Sequence, residues 1–142
     1  AGENFQFNMS IDSGSNYNVA KTSTLFRALH GEDGSSGGLA YYDGTDPDTL
    51  DLAQSTAFQT LLSGINDNND DSASGILTVF DPASTTFVTH YNSQSQYSHE
   101  TPRSMTFFTA GYANITSAVN AIQFKMNSGN VDAGDICMYG IA

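Results

Sequence analysis

The sequence predicts an all-β fold, an antiparallel β-sandwich of jelly-roll-like type, on three observations. In "NFQFNMSI", Phe5, Phe7, Met9 and Ile11 alternate with Asn4, Gln6, Asn8 and Ser10, the two-residue period of a strand buried on one face. Similar short stretches recur along the chain, separated by segments rich in Gly, Asn, Asp and Ser, which tolerate positive φ or bond their own backbone. Charged residues make up only 13% of the chain, so the positions between apolar residues are filled by Ser, Thr, Asn and Gln, which suit the solvated face of an antiparallel sheet. Many short strands divided by turns make a sandwich or a barrel. At 142 residues the chain suits one domain, 1–142, able to bury roughly two-thirds of its unfolded surface. Helix is expected in under about a fifth of residues, against the roughly one-third of an average soluble domain.

Taken in order, the first strand is 4–11, and "DSGSNYN" after it has the chemistry of a hairpin turn. Residues 19–29, rich in Thr and β-formers, make a long second strand that ends in the Gly-rich loop "HGEDGSSGG". Residues 39–42 make a short strand before the acidic loop "DGTDPDTLD". In "LAQSTAFQTLLSGI", Leu52, Phe58, Leu61, Leu62 and Ile65 fit helical spacing while the Ser and Thr content favours extended chain. The reading adopted is a short helical turn followed by a strand from Phe58. After the loop "NDNNDDSAS" come strands at 75–80, 86–93, 105–112, 119–126 and 135–141, with "DPAST" as a tight turn and Gly129 and Gly134 bounding a final hairpin. In the last strand Ile136, Met138 and Gly140 alternate with Cys137, Tyr139 and Ile141. It is apolar on both faces, so it is expected inside a sheet or under a partner, and truncating Ile136 to Ala142 is expected to abolish folding and assembly together.

The formal net charge is −11, which argues against nucleic acid and against an anionic membrane surface as partners. Between Ala28 and Pro102 there is no Lys or Arg, while eleven acidic residues fall there, so an acidic face or rim is expected. No apolar run approaches the eighteen or so residues that span a bilayer, and no signal peptide is visible. The one cysteine, Cys137, rules out an intramolecular disulfide framework.

The stretch "NAIQFKMNSGNVDAGDICMYGIA" resembles the ending of a family of small structural proteins of tailed bacteriophages, especially marine phages, whose last hairpin has the form N-A-I-x-F-x-x-S-S-G-N-I-x-x-G-x-I-x-L-Y-G-I. "SGILTVFDPASTTFVTHY" and "SGSNYNVAKTSTLFRALHGEDG" are similar to that family's middle and early segments. The resemblance implies a jelly-roll-like sandwich located in the virion. Family members carry further strands before the segment that matches Phe5, so the resemblance also implies that such strands lie upstream of Ala1 or that a neighbouring subunit supplies the pairing.

No residue is chemically armed for catalysis, and no catalytic, cofactor-binding or metal site is assigned. Asp67, Asn69 and Asp71 have the D-x-N-x-D spacing that opens a calcium loop, but Ser72 stands where the loop needs Gly and Thr78 where it needs a bidentate Glu. That stretch reads as a solvated turn. The loop from Asp43 to Asp51, beside Tyr41 and Tyr42, could hold a cation or a sugar, and its ordinary reading is a polar loop turned by Pro47. His30, His90 and His99 are scattered without the spacing of a zinc site, with His90 on a strand facing solvent or a subunit boundary. Cys137 reads as a buried small hydrophobe, and there is no G-x-S-x-G elbow. The sequons at Asn8 and Asn114 matter only in a secretory host.

Two functions from different classes fit these features. The first is a non-enzymatic virion-surface protein, a capsid decoration or tail-associated subunit, that packs against copies of itself, as in a trimer, and against other virion proteins. The second is a tail-fibre or adhesin head whose loops bind a host glycan. The absence of Trp and of a long shaft favours the first.

Overall fold

The computed structural model describes residues 2–41, 50–66, 68 and 70–141, and every regular element among them is a β-strand. In chain order these are β1 (Glu3–Ser10), β2 (Lys21–Gly31), β3 (Gly37–Tyr41), β4 (Gln59–Ile65), β5 (Ala73–Phe80), β6 (His90–His99), β7 (Arg103–Ala113) and β8 (Ala121–Met126). All pairings are antiparallel. Hydrogen bonding runs β3-β2-β7-β6-β4-β1-β8, with β5 on the other side of β6. The link between β6 and β4 is a single register pair, Ile65 with His99, and there the path folds over into two layers.

The core shows the folding-over directly. Ala113 of β7 lies three strands from β1 along the path, about 14 Å away in a flat sheet at the usual strand spacing. Yet Ala113 shares one buried cluster with Phe7 and Met9 of β1, Leu61 of β4 and Tyr91 of β6. The layers are therefore β5-β6-β7-β2-β3 and β4-β1-β8, packed face to face. A second cluster joins Leu62 of β4 to Leu25, Tyr97, Met105 and Phe107 of the larger layer. The chain crosses between layers after β1, β3, β4 and β7, while β2-β3 and β5-β6-β7 are consecutive hairpins within the larger layer.

Glycine makes two close approaches possible. Gly64 has φ +76° beside the folding-over point, where a Cβ would sit 2.4 Å from His99 Nε2. Gly111 leaves room for the Tyr91 hydroxyl, 2.7 Å from where its Cβ would stand. That hydroxyl donates to Gln59 Oε1 at 3.1 Å, and burial raises its pKa. Tyr97 does the same at the other cluster, donating to the Ser63 carbonyl.

A buried polar tie holds β1 to β2 across the layers. Lys21 is fully buried, and its Nζ donates to Asn8 Oδ1 at 2.6 Å and to the Val19 carbonyl at 2.8 Å. Asn8, buried as well, donates from Nδ2 to the Tyr17 carbonyl at 2.8 Å and the Thr56 carbonyl at 3.0 Å. Desolvation pushes the Lys21 ammonium down from 10.5 to about 8.

The structure corrects several expected elements. Residues 12–18 turn as expected, with Ser13 and Gly14 at positive φ and Asp12 Oδ1 accepting from Asn16 N at 2.9 Å. They do not make a hairpin, because β1 pairs with β4 and β8 while β2 pairs with β3 and β7. The expected helical turn after Leu52 is absent: Ser23 N bonds the Leu52 carbonyl, and Ser55 and Lys21 exchange backbone bonds, so those groups serve β2 rather than a helix. The strand expected from Thr86 begins only at His90, since Ser84 Oγ takes the Thr86 and Phe87 amides into the turn. The final strand expected at 135–141 is not formed. No residue there pairs in a sheet, every one is exposed, and a Cβ built on Gly129, Gly134 or Gly140 would meet nothing within 4 Å.

The Lys21 environment generates a pH prediction. The folded pKa lies below the unfolded one, so between about pH 8 and about pH 10.5 the unfolded chain holds a proton that the folded chain has released. Stability therefore rises with pH through that window. Comparison with Lys21→Met isolates this contribution: denaturant melts should show the wild type gaining on the variant by on the order of 2 kcal/mol as pH goes from 7.5 to 10.5. A difference that stays flat with pH would show that Lys21 is solvated.

Candidate functional site

The residues singled out in the sequence are not gathered into a centre. Asp67 and Asn69 of the calcium-like spacing, and residues 42–49 of the acidic loop, lie outside the described residues. Asp51, at that loop's end, accepts from the Tyr41 hydroxyl at 3.4 Å. His30 and His90 stand exposed on β2 and β6, His90 against the Tyr112 ring at 5.7 Å between centroids. His99 packs at the folding-over point, where its Nδ1 accepts from the Thr101 amide at 3.1 Å and desolvation is the main cause lowering its pKa. Among the described residues no three His, Cys, Asp or Glu side chains are grouped to hold a metal ion. Asn8 of the first sequon is buried, which closes it to glycosylation in the folded chain.

Six of the acidic residues gather at one end of the sandwich, while Asp12 and Asp81 follow β1 and β5 at the other. Glu3 opens β1, Glu32 and Asp33 follow β2, Asp70 and Asp71 precede β5, and Glu100 follows β6. Antiparallel pairing brings those strand ends together, with Gly31 opposite Arg103 and Ile65 opposite His99.

The feature with the clearest capacity to bind is apolar. Residues 136–141 project from the sandwich with Ile136 61%, Met138 88% and Ile141 95% exposed, and Cys137 is exposed as well. The expectation of a buried Cys137 is thus overturned, because the strand that would have buried it does not form within this chain. Exposed apolar runs of this kind are candidates for an interaction surface.

Its counterpart is the set of open sheet edges. Among the described residues β3, β5 and β8 each pair on one side only. β3 has five residues, two of them Gly, and β8 carries Lys125; shortness and a lysine are both devices that keep an edge unpaired. β5 is eight residues long, "ASGILTVF", with neither charge nor Pro, and Ile76 on it is 74% exposed.

The outer face of the larger layer forms a shallow depression of about 770 Å³. Phe26 and Phe108, opposite each other on β2 and β7, stack at 4.8 Å. Beside them on β6 lie Asn92, Gln94 and Gln96. Gln96 is held by Ser104 and Thr106, while among the described residues the Asn92 and Gln94 side chains have no protein partner. Neither the open β5 edge nor this depression was named from the sequence, since both depend on which strands are neighbours.

The chain matches none of the protein families, curated proteins or solved structures with which it was compared. Among the described residues, the fold and the site define an all-β sandwich with an exposed apolar segment, a long uncharged strand edge at β5 and an acidic end.

Proposed function

We propose that this chain is a non-enzymatic structural subunit of a bacteriophage particle, a capsid-decoration or tail-associated protein located in the virion, which stabilises the particle through contacts with copies of itself and with other virion proteins. The observation that carries the reading is the exposed, uncharged segment 136–141. A soluble chain does not keep such a run in water unless a neighbour covers it. The phage family enters through the resemblance of the terminal and middle motifs.

The same exposure changes what truncation does. Because residues 136–141 bury nothing of the sandwich, removing 135–142 leaves the two core clusters whole. The truncated chain should keep a β-type circular dichroism spectrum and a cooperative melt, and should sediment as a monomer at concentrations where the full chain associates. A full chain that stays monomeric and well dispersed at micromolar concentration would contradict the assembly role, and immunogold labelling should find the chain on the particle surface.

A second reading rests on the depression over β6. Its aromatic pair and free carboxamides are the groups that stack on and hydrogen-bond a neutral sugar, which fits an adhesin head that binds a host glycan. On a glycan array the wild type should then retain neutral oligosaccharides, and Phe108→Ala should weaken retention at least about tenfold, the effect of losing roughly 1.4 kcal/mol of contact. Failure to retain any neutral glycan removes this reading and leaves the first intact.

A further inference from the structure

We propose that residues 136–141 of one copy add as an edge strand to β5 of a second copy. This deepens the structural-subunit reading and rests on it. Adding a strand to a sheet edge supplies main-chain hydrogen bonds along its length, while alternate side chains continue the two faces of the sheet.

The choice of β5 follows from a comparison of the edges. β3 is short and β8 is guarded by Lys125, whereas β5 offers eight uncharged residues. The segment that docks is likewise uncharged beyond Asp135. In a chain of net charge −11, like charges brought together across a contact cost several kcal/mol, so two copies meet most favourably where neither carries charge. β5 and 136–141 are such a pair.

The proposal also accounts for the segment's apolar character on both faces. Beside β5, one set of its alternating side chains continues the core face next to Leu77 and Val79, which are half-buried against the core. The other set continues the outer face next to Ile76. A strand at a solvated edge would need only one apolar face; a strand that extends this layer has apolar neighbours on both.

The contact is heterologous, since the surface used on one copy differs from that used on the next. Such contacts close into a ring, as in a trimer, or run on as an open chain. The segment stays off its own sandwich, and the shared lack of charge on β5 and on 136–141 is what makes another copy the occupant proposed for that edge.

Because Cys137 is the only cysteine, the contact can be read by disulfide trapping. Ser74→Cys, Ile76→Cys and Thr78→Cys are made singly on β5, with Gln123→Cys on β8 and Gly38→Cys on β3 as comparisons. All are oxidised mildly with glutathione disulfide, alongside the wild type and a Cys137→Ser version of each. A disulfide needs Cα atoms about 4.4–6.8 Å apart, so at least one β5 variant should give reducible species of two or more chains that vanish with Cys137→Ser, and the β8 and β3 variants should not. The proposal is overturned if no β5 variant is trapped, if trapping favours β8 or β3, or if the β5 disulfide forms within a single chain. Should trapping at β5 fail while loss of 135–142 still abolishes association, the docking site is wrong and the structural reading stands. Should the full chain never associate, both fall.

Discussion

The contact on which the rest of this sandwich depends is the one between Lys21 and Asn8. A buried amine is costly to desolvate, and the chain accepts that cost at the point where β2 leaves the crossover and meets β1 of the other layer. One ammonium donates to Asn8 and Val19, while the Asn8 carboxamide donates to Tyr17 and Thr56. Three separate stretches, β1, residues 17–21 and the segment at Thr56, are thereby held at one buried centre. Apolar packing alone is non-directional; these bonds give the two layers a defined register. The lowered Lys21 pKa is the trace of that arrangement, and Lys21 is a structural residue enclosed in the core.

Local pattern made the strands legible and topology did not. Phe7 and Met9 alternate plainly and are buried, and strands were expected close to where β1, β5, β7 and β8 form. Partner choice could not be read in the same way. The turn after Ser10 has hairpin residues, yet it carries the chain from one layer to the other, because β1 finds its partners in β4 and β8. The helix-like spacing after Leu52 lost to backbone bonds supplied by β2. Lys21 was invisible as a core residue because nothing local says that a lysine amid Thr and Ser will meet a buried carboxamide. The segment 135–141 has a strand's pattern and no strand's partner: its alternation was legible, and the identity of what it pairs with was never a property of the segment itself.

That mismatch links structure to the proposed role. A sandwich can be whole in its two core clusters and still carry an apolar strand that belongs to no sheet of its own. In the proposed role, like-charge repulsion between acidic ends disfavours contact there and leaves the uncharged surfaces for association. In that role the structure of such a subunit is completed by its neighbours.

The central claim is that residues 136–141 are an assembly contact, and amide hydrogen exchange followed against protein concentration tests it most directly. In dilute solution those amides should exchange as fast as in an unstructured chain. As concentration rises they should become protected together with the outward-facing amides of β5, while β8 keeps its exchange rates. Protection that is complete at every concentration, or that is shared with β8 instead of β5, would contradict the account.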